Sequence, residues 1–202
     1  MGIINDRKDF IGGTDAIRIM NGEWLELYQE KVGLTGPEDL SEVLAVQLGV
    51  HTEQFNLDWW VQSYSPGYAM AGTERELQFE FRYDDGYVPL KGTADMMCVD
   101  SQKKSYIVEA KHTNAFTNMT DVIERYMPQI QFYMHLHNMH CEEHDYKPDG
   151  CFLSVIFGNS KWESKHIGFD PVYCANMLGK ITQFWEHVIK KSPPIDRDAE
   201  TP

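Results

Sequence analysis

The sequence predicts an α/β domain in which helices flank a mixed central sheet, and three observations predict it. Leu77 to Tyr83, LQFEFRY, alternates apolar with polar residues, the two-residue period of a half-buried strand. Cys151 to Phe157, CFLSVIF, is almost continuously apolar, as a strand covered on both faces must be. From Asp170-Pro171 to Lys191, the residues Met177, Leu178, Ile181, Phe184, Trp185 and Val188 recur at helical spacing.

The remaining elements follow in order. Residues 1–5 read as a loose start. Gly12-Gly13 precedes Thr14-Asp15 and an apolar run to Met20, so Thr14 is the expected N-cap of a first helix. A helix N-terminus with an arginine nearby can receive a phosphate; an ordinary capped helix has the same pattern. Glu23 to Val32 predicts a second helix with Trp24, Leu27 and Tyr28 on one side, broken by Gly33 to Pro37. Glu38 to about Tyr64 predicts a long third helix, with Gly49, Val50 and Thr52 marking a kink or a split.

Ser65-Pro66-Gly67 is a turn before the alternating strand, and Asp84-Asp85-Gly86 turns that strand into a hairpin. Tyr87–Leu90 and Met96–Val99 are β-compatible, Asp100 to Lys104 is a polar turn, and Tyr106–Val108 returns. His112 to Asn118 is a loop. Asp121 to about His140 is a helix in which Pro128 predicts a kink or a restart. An acidic loop, Cys141 to Gly150, leads to Cys151–Phe157, then a strand over Lys161 to Phe169 and the final helix. Residues 1–191 are thus expected to form one domain, and residues 192–202 a polar tail without stable structure.

Composition narrows the class. With 202 residues, 42% hydrophobic and 24% charged, the chain is long enough to bury a core and ordinary for a globular protein. It has no apolar run of membrane-spanning length and no signal-like start, so a cytoplasmic location without membrane contact is expected. The four cysteines are scattered without a CxxC pair, which argues against zinc and iron–sulfur ligation. The formal charge of −13 runs against the basic surplus usual for nucleic-acid binding. Local field depends on where charges sit, so the question passes to where Arg7, Lys8, Arg18, Lys103, Lys104, Arg125, Lys161 and Lys165 lie.

The chemistry concentrates in the hairpin. Glu109 and Lys111 are two apart on a strand and share a face, and the hairpin brings Asp95 alongside. Buried charges must be paired or must coordinate a metal. Two carboxylates with oxygens to spare suit Mg²⁺ or Mn²⁺, and a lysine beside them can orient or deprotonate a water, or stabilise charge on a phosphate. A structural Asp–Lys–Glu ion network has the same pattern. Glu53 has apolar neighbours in the third helix, and Gln129 and Tyr133 lie one turn apart on the fourth.

Gly92-Thr93-Ala94-Asp95 followed by Glu109-Ala110-Lys111 resembles the core motif of the PD-(D/E)xK nuclease superfamily. Taken with Arg7…Gly12-Gly13-Thr14, Gln47-Leu48-Gly49…Glu53 and Tyr126-Met127-Pro128-Gln129-Ile130-Gln131-Phe132, in that order, the chain resembles the YqaJ-like viral recombinases, the family of lambda exonuclease. The resemblance spans roughly Arg7 to Trp185. It implies a restriction-endonuclease-like α/β core and a Mg²⁺-dependent exonuclease with one or two ions. Such an enzyme digests the 5′-ended strand of linear double-stranded DNA and leaves a 3′ overhang for a single-strand annealing protein, in the lambda relative as a trimeric ring.

By the same resemblance Asp95, Glu109 and the Ala110 carbonyl hold metal, and Glu53 lines a second ion or its waters. Lys111 positions the attacking water, with Gln129 supporting the water or the lysine and Tyr133 as its aromatic companion. Arg7 and Thr14 match residues that grip a 5′-phosphate, and Thr93 and Tyr133 fall on the DNA side. The loop from Thr113 to Asn118 lacks the arginine expected there, which removes one phosphate contact. A non-processive endonuclease or flap nuclease of the same fold, or a non-catalytic acidic metal-binding interaction module, are the competing readings.

Overall fold

Five strands hydrogen-bond in chain order: β1 (Tyr68–Tyr83), β2 (Gly86–Asp100), β3 (Ser105–Thr113), β4 (Pro148–Phe157) and β5 (Lys161–Ile167). This computed structural model describes residues 7–36, 39–83, 86–140 and 147–195. All neighbouring pairs are antiparallel except β3–β4, which is parallel. The parallel pair follows from its connection, since helix α4 (Met119–His140) carries the chain back to the starting end of the sheet. The predicted mixed sheet is therefore observed.

Helices cover both faces. On one lie α1 (Gly13–Met20), α2 (Trp24–Lys31), α4 and α5 (Pro171–Lys190), burying Ile19, Leu27, Ile130 and Phe184 with Ile107 and Leu153 of the sheet. On the other lies α3 (Leu44–Tyr64), whose Leu57 and Trp60 pack with Met96, Cys98, Val108 and Phe152. Strand alternation sends Ile107 to the first core and Tyr106, Val108 and Ala110 to the second, which is why the middle of β3 is apolar throughout. Trp60 is almost fully buried and anchors α3; truncating such a residue costs about 3–5 kcal/mol.

Several boundaries differ from the sequence expectation, each for a physical reason. Thr14 is not the N-cap of α1: Gly12 occupies that position, and the Asp15 side chain reaches back to accept from the Gly12 N–H at 2.9 Å. α3 starts at Leu44 rather than Glu38, and residues 37–38 lie outside the described part. Gly49, Val50 and Thr52 sit within one unbroken helix, where Thr52 Oγ1 donates back to the Leu48 carbonyl at 2.6 Å.

β1 begins at Tyr68, well before Leu77, because the whole of β2 is available as its partner, from Tyr68 opposite Asp100 to Tyr83 opposite Gly86. The two short runs expected in the hairpin are one strand, with Lys91 to Asp95 paired or side-chain-bonded between them. The turn residues Asp84 and Asp85 lie outside the described part. Pro128 neither ends nor restarts α4. The carbonyl it leaves without an N–H partner belongs to exposed Glu124, where water can serve it.

Asp170 caps α5 as expected, its side chain accepting from the Val172 and Tyr173 N–H groups. Of the expected tail, Ser192 still bonds back to His187 and Pro194 is buried, while residues 196–202 lie outside the described part, as does most of the loop from Cys141 (residues 141–146). Among the described residues no helix is long and apolar enough to cross a membrane.

Candidate active site

The site grows from the point where the β2–β3 ladder hands over to side chains. Backbone pairing runs from Val99–Ser105 to Met96–Val108. Beside that last pair the Ala110 N–H donates to Asp95 Oδ2 at 2.8 Å, so the aspartate is held by the strand it faces. Glu109 is 1% exposed, and the Lys111 ammonium sits 2.7 Å from its Oε1. The same-face geometry expected of residues two apart on a strand is thus observed. Lys111 also lies 4.9 Å from the centre of the Tyr126 ring on α4, which fixes the ammonium between a carboxylate and an aromatic face.

The second oxygen of Glu109 has no such partner. Oε2 is buried and meets no hydrogen-bond donor. Leaving a carboxylate oxygen desolvated and unbonded is costly, and a site that tolerates this cost usually has a further occupant. Burial pushes the Glu109 carboxyl up to about 7; Lys111 pulls against that rise, while the charges of Asp95 and Glu53 add to it. Burial would lower the Lys111 ammonium, but Glu109 and Asp95 outweigh it and hold the group protonated above its ordinary range. Glu53, from the opposite face of the sheet, thereby acts on the same pocket.

Its position is set by Asn56, one turn further along α3. Asn56 is buried at 1% exposure, donates to the Lys111 carbonyl at 3.1 Å and the Ser154 carbonyl at 3.0 Å, and accepts from Ser154 Oγ at 2.7 Å. This amide clamps α3 onto β3 and β4. Glu53 then lines a cleft of about 760 Å³ together with Lys111, Tyr126 and Arg125. A larger groove of about 890 Å³ beside Trp185 and Tyr87 contains none of the candidate carboxylates.

Gln129 and Tyr133 sit behind the carboxylates. Gln129 Nε2 donates to the Tyr133 hydroxyl at 2.8 Å, and both residues are buried. Burial raises the Tyr133 phenol, with the Glu109 charge adding. The ring is wedged under two glycines: a Cβ on Gly13 or on Gly92 would come within 2.8 Å of it. Close approach of α1 and β2 to α4 therefore explains both glycines. Thr14 and Arg7 are exposed at the start of the chain's first elements, and Thr93 is half-buried on β2 two residues before Asp95.

Sequence reading did not single out Asn56, gave Tyr126 no role, and counted Arg125 only among the cations. A buried amide on an otherwise apolar helix face was the available signal for Asn56. Of the other cations, Arg18 pairs with Glu23 and Glu30, Lys104 with Asp149 and Lys161 with Glu163. Arg125, by contrast, faces the cleft, where the Thr113–Asn118 loop offers no arginine.

The donor set is hard oxygen: Asp95, Glu109 and the neighbouring backbone. Among the described residues no three His, Cys, Asp or Glu side chains close around one point. A donor set of that composition can hold a cation through one or two carboxylates and otherwise water, and Glu109 Oε2 is an oxygen of the set without a hydrogen-bond partner.

No protein-family model matches the chain, and no curated protein matches it in sequence. Solved structures do match. The alkaline exonuclease LHK-Exo of Laribacter hongkongensis superposes with a TM-score of 0.63 at 14% identity, covering 96% of this chain and 95% of its own. LHK-Exo in complex with dAMP gives 0.66 at 15% identity over the same shares, 96% and 95%. SSO0001 gives 0.60 at 16% identity over 93% of this chain and 79% of its own. The chain has the fold of the alkaline exonucleases, the nuclease-like α/β core that its motifs predicted.

Proposed function

We propose that this chain is a Mg²⁺-dependent deoxyribonuclease that degrades the 5′-ended strand of linear duplex DNA, leaving a 3′ overhang for recombination by single-strand annealing. The observation that carries the reading is the buried Glu109 Oε2, unbonded beside Asp95 and next to an ammonium held protonated. The fold adds support, since a neighbour of that fold binds dAMP, the kind of unit that stepwise hydrolysis of a DNA strand releases.

In this reading Asp95, Glu109 and the Ala110 carbonyl hold Mg²⁺, or Mn²⁺ in its place, and Glu53 lines a second ion or its waters. When bound, the ion lowers the pKa of a water and offsets charge on the phosphate. The bond broken joins phosphorus to the 3′-oxygen: water oxygen adds to phosphorus, the 3′-oxygen leaves and takes up a proton. The charges of Glu109 and Asp95 favour the protonated form of Lys111, which serves here as a donor that orients water and a phosphate oxygen. The Tyr126 ring and Glu109 restrict where that ammonium can go. Gln129 and Tyr133 brace the floor of the pocket. Arg7, Thr14 and Thr93 serve the DNA end, and Arg125 supplies a cation in the cleft.

The test compares linear duplex DNA, labelled at either end, with closed circular DNA, in Mg²⁺ or in EDTA. Degradation of linear DNA alone, from the 5′ label and only with Mg²⁺, is expected. Loss of circles would replace the exonuclease by an endonuclease, and no cleavage at all would leave an acidic binding module. A trimeric ring around DNA and a single-strand annealing partner belong to the same reading. Sedimentation at the mass of one copy would remove the ring.

A further inference from the structure

Beyond the carboxylates, α3 presents a second chemistry. Phe55 and Trp59 stand one helical turn apart and are 58% and 45% exposed, with ring centres 6.1 Å apart and planes inclined at 33°. They border a cleft of about 440 Å³ that has Ile156 and Trp162 in its wall and His112 and Lys161 at its rim. The wall is fixed: the Trp162 indole N–H donates to Ser154 Oγ at 2.9 Å and to Asn56 Oδ1 at 3.2 Å. His112 is held between Thr52 Oγ1 at 3.0 Å and the Gly158 carbonyl at 2.8 Å. Of the described residues lining this cleft, Phe55 and Trp59 are the large exposed hydrophobics.

This cleft is continuous with the candidate active site. His112, Gly158 and Asn159 line both, and Glu53 lies on the same helix as the two aromatics. We propose that it is a stacking subsite for unpaired nucleobases of single-stranded DNA at the mouth of the active site, an inference that rests on the nuclease reading and adds a ligand contact to it. Two flat rings at the border of a phosphate-handling cleft provide what sequence-neutral single-strand binding uses, because every base has a π-face. The volume is that of a small-molecule cleft rather than a groove for a helix. Lys161, placed over the Phe157 ring and bridged to Glu163, lies along the rim where a sugar–phosphate backbone would run.

The experiment measures binding of a fluorescein-labelled oligothymidylate of about ten nucleotides by anisotropy, without divalent ions, so that no cleavage intervenes. Trp59→Ala and Phe55→Ala are each expected to weaken binding about tenfold, and Trp59→Phe to retain most of it, as stacking contacts of this size do. An oligonucleotide with abasic positions should bind the wild type and Trp59→Ala alike. Equal affinity of wild type and Trp59→Ala for oligothymidylate, or no measurable binding by the wild type, would overturn the subsite. A change of sedimentation without a change of affinity would overturn it too, assigning the aromatics to contact between copies. Cleavage of linear DNA is assayed separately with Mg²⁺: its absence in the wild type removes the nuclease reading, whereas intact cleavage with unchanged oligonucleotide affinity removes the subsite alone.

Discussion

The backbone N–H of Ala110 donates to Asp95 Oδ2 across 2.8 Å, so one carboxylate both closes the β2–β3 ladder and acts by its charge on Glu109 and Lys111. Structure and chemistry can therefore be separated at this residue. Asp95→Asn keeps an oxygen that can accept and should leave stability within about 1 kcal/mol, while Asp95→Ala strands the N–H at a cost of about 1–3 kcal/mol. Both should lose nuclease activity by at least about a hundredfold, since each removes the charge that a cation needs. Urea unfolding and initial rates on linear DNA read the two effects independently.

Divalent cations should stabilise the protein through Glu109. Mg²⁺ or Mn²⁺ at a hundred times its dissociation constant would add about 2.7 kcal/mol and raise the melting temperature. EDTA should reverse the shift. Glu109→Gln should abolish it, and should also lower the metal-free melting temperature, because the Lys111 ammonium loses its paired carboxylate. Thermal denaturation with and without the ion decides this, and a wild type indifferent to both ions would count against the metal reading.

Lys111→Ala should cost both activity and stability. It leaves Glu109 buried without the ammonium that pairs with it, a change worth about 3 kcal/mol for a buried pair. The double variant Lys111→Ala with Glu109→Gln should recover most of that stability and none of the activity. A double-mutant cycle on unfolding free energies measures the coupling.

Asn56→Ala should act at a distance. It removes bonds to the Lys111 and Ser154 carbonyls and leaves the Ser154 hydroxyl short of an acceptor, for a loss of about 2–3 kcal/mol. Activity should fall as well, because α3 also carries Glu53. Asn56→Asp keeps an acceptor for Ser154 and Trp162 but cannot donate to the two carbonyls once ionised, so it should be milder at low pH, where the carboxyl is protonated, and should worsen as pH rises. Equal rates in wild type and Asn56→Ala would show that Glu53 placement does not matter.

Acid sensitivity should come in part from α4. His135 is buried beside Phe79 and Phe81, and its Nε2 has no hydrogen-bond partner. Burial holds its pKa below the ordinary 6.5. The unfolded chain therefore takes up the proton first as pH falls, and stability is lost from about pH 7 downward through the depressed folded value. His135→Phe should flatten that part of the pH–stability curve relative to wild type, as followed by unfolding midpoints between pH 7.5 and 5.5.

How much of this was legible beforehand varies by element. The hairpin was, because apolar strands carrying Asp95, Glu109 and Lys111 break their own pattern at three places. The starts of α1 and α3 were not: α3 begins at Leu44 rather than Glu38, and Thr14 looked like a cap, but Asp15 made the backward hydrogen bond and moved the cap to Gly12. Asn56 was invisible because its partners Lys111 and Ser154 are 55 and 98 residues away. Arg125 could be counted but not located, and Gly13 could be taken for a phosphate loop when its lack of a side chain also makes room for Tyr133.

By itself the sequence determined what local geometry determines: the order of strands and helices, and the shared face of Glu109 and Lys111, since side chains two apart on a strand have no other choice. The tertiary structure alone decided which groups from distant segments join them. Glu53 and Arg125 reach the cleft only because α3 is clamped across β3 and α4 returns beside it. The unbonded Glu109 oxygen exists only because packing shut out water around it, and burial of that kind is a property of the assembled core rather than of any stretch of chain.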